Sequence, residues 1–144
     1  MIPGWVLLLV SAGYVCLLFA VAYAGDRQTF GGPIGRKQGV AFQIADLEVM
    51  LHASRMLTYR AAALKDAGAP YQEFKQAAAV AKLYTTESAV TATRIATQVF
   101  GGYGFMEEYP VARFYRDAKV LEIGEGTSEV QRMLIARGLG LPVE

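Results

Sequence analysis

From the N-terminus, the hydrophobic pattern shows one long unbroken run followed by four stretches of helical period. The segment Ile2 to Ala24 reads IPGWVLLLVSAGYVCLLFAVAYA, and residues 1–25 carry no charged side chain. A helix rising about 1.5 Å per residue over that length crosses a hydrocarbon core of roughly 30 Å. The run therefore predicts a single transmembrane helix. Ala22-Tyr23-Ala24 imitates a signal-peptidase site, but no basic residue precedes the run, and it exceeds the roughly 7–15 apolar residues of a signal sequence. A hydrophobic helix packed on the rest of the protein is the other alternative, set back by the lack of a polar face. Arg27, Arg36 and Lys37 follow the run, so the positive-inside rule places the remainder in the cytoplasm. Trp5 and Tyr23 then suit the two membrane interfaces, and Cys16 packs within.

Residues 25–38, GDRQTFGGPIGRKQ, hold four Gly and one Pro among charges, a composition that interrupts helices and marks a linker or structured loop. The expected organisation is a membrane helix over 1–25 and a globular unit over 26–144. In that unit Ile44, Leu47, Leu51, Ser54, Leu57, Ala61 and Leu64 form one helical stripe, ended by Gly68 and Pro70. A second helix opens with Pro70 as its first residue. It places Phe74, Ala77, Ala81, Tyr84, Ser88, Thr91, Ile95 and Gln98 on one face and stops at Gly101-Gly102. A third starts at Pro110 with Val111, Phe114, Tyr115 and Ala118. The fourth starts after Gly126, capped by Thr127 or Ser128, and runs through Val130, Met133 and Leu134 to Gly138. Ser128 with Gln131 fits a capping box. No segment alternates convincingly with period two. The fold class is all-α: an antiparallel four-helix bundle preceded by a single hydrophobic helix.

Composition narrows the chemistry. A net charge of +1 argues against nucleic-acid binding through a broad basic surface. One cysteine and one histidine exclude an internal disulfide framework and the usual ligand set of a structural zinc site, so no metal is expected. His52 has no ligand-forming neighbour in its helix and is expected to make a surface or interhelical hydrogen bond.

Three motifs go further: DRQTFGGPIGRKQ, then ATQVFGGYGF, then YPVARFYRDAKVLEIGEGTSEVQR. In this order and spacing they resemble the C-terminal helical domain of the acyl-CoA dehydrogenase family, over about Asp26 to Leu141. The apolar run looks foreign to that family and resembles the first membrane helix of sodium:solute symporter-like proteins. The family resemblance implies a FAD-dependent oxidoreductase of fatty acid metabolism. A carboxylate removes the proton alpha to the thioester carbonyl of an acyl-CoA while hydride leaves the beta carbon for the flavin.

Glu125 stands where the resemblance puts that base, in an E-G-T stretch just before the last helix. Gly124 replaces the aromatic residue found there in many relatives. Arg27, Thr29 and Phe30 match an R-x-T-F segment that meets the FAD of a neighbouring subunit, and Gln38 matches a further FAD-proximal glutamine. Gln98, Gly101 and Gly102 match a Q-x-x-G-G stretch near the adenosine of the neighbour's FAD, and Thr127 matches a threonine touching FAD in the same subunit. The resemblance also implies a homo-oligomer, dimer or tetramer, with electron-transfer flavoprotein as a partner. Complete members carry an N-terminal helical domain and a middle beta domain as well, so the expectation is a fragment that is inactive alone. The membrane run would make it a single-pass protein with a cytoplasmic bundle; were the run an artefact of gene assembly, the protein would be cytoplasmic. The competing expectation is a non-catalytic, membrane-anchored bundle that self-associates or pairs with intact dehydrogenase subunits.

Overall fold

The computed structural model describes the backbone of residues 4–144 and the side chains from Tyr14 onward. Helix α1 spans Gly4–Asp26. A short antiparallel hairpin follows, with β1 (Gln28–Thr29) paired to β2 (Gly32–Pro33), and one 3-10 turn over Ile34–Arg36 leads into α2, Gln38–Asp66. Helix α3 covers Tyr71–Phe100 and is followed by a 3-10 segment, Gly101–Phe105. Helices α4 (Val111–Ile123) and α5 (Ser128–Gly138) complete the chain.

Helix α3 is the axis of the molecule and packs against all four other helices. It is long because nothing between Pro70 and Gly101 breaks it, and its Ala and Thr side chains let neighbours come close. Two stripes rather than one are buried on it. Ala77, Ala81, Thr85, Ala92, Ile95 and Val99 make the first; Ala79, Lys82, Thr86, Ala89, Thr93, Ala96 and Phe100 make the second. The single stripe expected from the sequence is thereby corrected: Tyr84 and Gln98 lie exposed. Pro70 caps α3 from outside instead of forming its first residue. Helices α2 and α3, joined by four residues and packed along their lengths, run antiparallel.

The transmembrane expectation is corrected as well. Its first part, including Trp5, lies outside the residues whose side chains are described. In the remainder, Cys16, Leu17, Ala20 and Ala24 form a buried face that packs with Leu47 and Leu51 of α2, Ala96 and Phe100 of α3, and Val111 of α4. Tyr23, expected at a membrane interface, stacks on Phe100 with ring centroids 4.1 Å apart and planes 15° apart. Among the described residues no helix is long and apolar enough to cross a membrane. Helix α1 is thus a fifth helix in contact with the bundle, not an element standing before it. Hydropathy alone does not separate the two cases, because a helix whose apolar side chains fill a core has the composition of one facing lipid.

Candidate functional site

Two clusters of the expected site residues form, at different places along α3. The first lies at its C-terminal end. Asp26 ends α1, and the chain turns back through the hairpin, whose tip residues Phe30 and Gly31 both have positive φ, 50° and 82°. Two consecutive positive φ values make the mirror-image turn that matches strand twist. The base of the hairpin is held by the Ile34 N–H donating to the Arg27 carbonyl at 2.9 Å. This brings Arg27 and Thr29 beside Gly101 and Gly102. Together with Tyr23, Ile34, Phe100, Tyr103 and Met106 they line an open groove of about 550 Å³. The Arg27 guanidinium lies 5.5 Å from the Tyr103 ring centre. Gly104 closes the corner: a Cβ there would stand 2.3 Å from the Thr97 carbonyl oxygen, so only glycine lets this segment lie against α3. One exposed guanidinium, two glycines and aromatic walls suit a ligand that combines phosphate with a flat ring. Phe30 projects from the hairpin tip, 93% exposed, outside the groove lining. Gln38 lies exposed at the start of α2, and Gln98 exposed on the last turn of α3; neither lines the groove.

The second cluster is the turn between α4 and α5. Helix α4 ends with the Gly124 N–H donating to the Val120 carbonyl at 2.8 Å. Glu125 then takes φ 55°, one of two non-glycine residues with positive φ among those described, and Gly126 takes φ 89°. A side-chain-bearing residue in this left-handed region carries a strain of about 1–3 kcal/mol. The Glu125 side chain is exposed. The N–H groups of Glu125, Gly126 and Thr127 donate to no backbone carbonyl among the described residues. Thr127 is the N-cap of α5, its hydroxyl accepting the Val130 N–H at 3.4 Å. Glu129 follows in the first turn, where its own backbone N–H and the Thr127 hydroxyl hold its carboxyl below the usual carboxylate range. The expected Ser128–Gln131 capping box does not form. Ser128 is buried with its hydroxyl unpartnered, and the Gln131 amide turns back to donate to the Gly126 carbonyl at 3.2 Å and the Glu125 carbonyl at 3.5 Å.

Sequence reasoning missed a further residue. Lys82 of α3 is 5% exposed and its Nζ donates to the Gly126 carbonyl at 2.7 Å. Its signal was a lone cation in the small-residue stripe Ala79, Thr86, Ala89, Thr93. Lys82 and Gly101 lie nineteen residues apart on one helix, about 28 Å along its axis. The turn and the groove are therefore separate places. His52, on the surface of α2, pairs with Glu48 at 2.8 Å, and no group of three potential metal ligands occurs among the described residues.

Comparison with known proteins decides the lineage. The family model "Acyl-CoA dehydrogenase, C-terminal domain" matches residues 6–140. The chain belongs to the acyl-CoA dehydrogenase family. Residues 6–25 fall inside that match, so the apolar segment is part of the acyl-CoA dehydrogenase domain and not a foreign addition, in agreement with its packing on α3. The short-chain specific mitochondrial acyl-CoA dehydrogenase of Bos taurus is 46% identical over 117 residues, 81% of this chain and 28% of that protein. The butyryl-CoA dehydrogenase structure from Megasphaera elsdenii superposes with a TM-score of 0.87 at 42% identity, over 91% of this chain and 33% of that one. An FAD complex of PigA superposes with a TM-score of 0.89 at 33% identity, over 94% and 35%. The chain thus spans about a third of the length of these proteins.

Proposed function

We propose that this chain is the base-bearing domain of an FAD-dependent acyl-CoA dehydrogenase that introduces an alpha,beta double bond into an acyl-CoA thioester. The observation that carries the reading is Glu125: a carboxylate held at φ 55° in an E-G-T turn before the last helix of a chain from this family. A strained, exposed carboxylate whose neighbouring carbonyls are pinned is suited to meet a substrate C–H at a fixed angle. It takes the alpha proton as general base. Backbone N–H groups of the same turn, free of backbone acceptors, are placed to polarise the thioester oxygen and stabilise charge as the proton leaves. FAD, when bound, supplies the acceptor for the beta hydride.

The residues present fit such a cofactor in two portions. Thr127, next to the base, meets the flavin of its own subunit. Arg27, Thr29, Gly101 and Gly102, which line the groove beyond the end of α3, would meet the FAD of a neighbouring copy, the guanidinium facing pyrophosphate and the glycines admitting the adenosine, with Phe30, Gln38 and Gln98 exposed outside the groove to reach the same cofactor. The separation of about 28 Å between turn and groove supports this division, being large for one cofactor to reach both. The assembly is therefore a homo-oligomer. Electron-transfer flavoprotein is the proposed partner that reoxidises it.

The test is Glu125→Gln in the flavin-loaded enzyme. The variant should keep its FAD and lose acyl-CoA-dependent bleaching of the flavin absorbance, by about 100-fold or more in rate. Bleaching at the wild-type rate would remove Glu125 from the mechanism.

A further inference from the structure

Lys82 is the most deeply buried cation among the described residues, and nothing in the reaction as described uses it. It occupies a stripe position on α3 that every neighbour fills with Ala or Thr. An ammonium there is costly to bury unless its donors are met. Its one described acceptor is a backbone oxygen across the helix interface, the Gly126 carbonyl, 44 residues away in sequence. The same oxygen also accepts from the Gln131 side chain, which reaches the Glu125 carbonyl too. The Gly126 carbonyl is therefore gripped from α3 on one side and from α5 on the other, and the Glu125 carbonyl from α5 alone. Glu125 is the non-glycine residue that this grip leaves in the left-handed region.

We propose that Lys82 is a positioning residue: through the Gly126 carbonyl it holds the Gly126–Thr127 peptide, and so fixes the turn in which Glu125 takes positive φ and the direction in which the carboxylate faces substrate. The inference rests on the reading of Glu125 as the base, but the geometry of the turn is measurable without it. A charged donor is suited to the task because its hydrogen bond to a carbonyl is stronger than a neutral one, and burial keeps water from competing. Burial draws the Lys82 ammonium below the ordinary lysine value, and Glu122, Glu125, Glu129 and Glu87 act in the opposite direction and favour the charged form. Four carboxylates, on α3, α4, the turn and α5, thus act on this cation through their charge alone. Gln131 adds a second grip without charge, and a Cβ on Gly126 would come within 2.8 Å of its amide nitrogen, so the peptide has little room to turn over.

The experiment uses the full chain, isotopically labelled. In wild type, an NMR spectrum of 15N-labelled lysine should contain one ammonium correlation protected from solvent exchange under conditions where exposed lysines vanish, and Glu125 should show the strong HN–Hα cross-peak of positive φ. Absence of the protected ammonium overturns the contact without any mutation. In Lys82→Met, which keeps the length and removes the donor, the Glu125 cross-peak should weaken. Amide exchange at Val130 and Gln131, whose N–H groups donate to Thr127, should also accelerate about tenfold or more while α2 stays protected. Lys82→Arg should restore both. Wild-type behaviour of a folded Lys82→Met variant overturns the proposal; if that variant does not fold, the wild-type ammonium signal and the arginine variant decide. In flavin-loaded enzyme, Lys82→Met should lower kcat about 100-fold with little change in KM, as expected for a displaced base. An active Glu125→Gln enzyme would overturn the assignment of the base and leave the turn measurements standing, so the two failures are distinguishable.

Discussion

At Glu129 the N-terminus of α5 and the Thr127 hydroxyl stabilise a negative charge, and the sign of that effect can be followed through pH. The folded carboxyl is held below its unfolded value of 4.5, so its stabilising contribution is fully present above that value and is lost as pH falls through the lower folded one. Glu129→Gln should therefore flatten the acid limb of a plot of Tm against pH and leave the neutral region nearly unchanged, as thermal melts between pH 3 and 7 would reveal. Glu125, four residues earlier, differs in two respects: its backbone is strained and its exposed side chain makes no hydrogen bond among the described residues. That difference was half legible in the sequence. The E-G-T stretch before a helix located the carboxylate, and the Thr127 cap was one of two named candidates. The use of Gln131 was misread, because Ser-x-x-Gln at a helix start suggests a capping box until one sees that the chain enters α5 from a left-handed turn whose carbonyls lie within Gln131's reach. Lys82 was not found, since a lone lysine in a helix is ordinarily a solvated one.

Among the elements, α1 differs most from expectation. Its composition is that of a membrane span, and only the partners of its buried face reveal its place. Cys16 reports on this directly. The thiol is 0% exposed, and burial pushes its pKa up to about 12, so almost no thiolate exists near neutrality. Cys16 should resist a thiol reagent at pH 8 in the native chain and react fully in denaturant; rapid native labelling would mean that α1 is not docked. The other helices were legible because Gly and Pro punctuate them: Gly68 and Pro70 separate α2 from α3, and Gly101 and Gly126 bound the connections around α4. What periodicity could not supply was how many sides of α3 are buried. Small residues leave a weak hydrophobic signature on every face, and the second stripe, Ala79 to Phe100, escaped for that reason.

At the scale of the molecule, α3 sorts the candidate site into two places, the carboxylate turn beside Lys82 and the groove beyond its last turn. Both are assembled across long stretches of sequence, but unequally. Lys82 meets Gly126 over 44 residues, while Tyr23 meets Phe100 over 77, with its hydroxyl 3.4 Å from the Phe100 carbonyl. The two segments that make the groove are thus held apart in sequence by all of α2 and most of α3. Closing so long a loop is entropically slower to achieve than pairing α2 with α3 through their four-residue connection. During refolding the α2–α3 hairpin should gain amide protection first and Cys16 should become inaccessible to pulsed thiol labelling only afterwards. The groove lined by Arg27 and Gly101 would then be the last part of this chain to come into existence, and a newly made copy would hold its Glu125 turn finished while that surface was still missing.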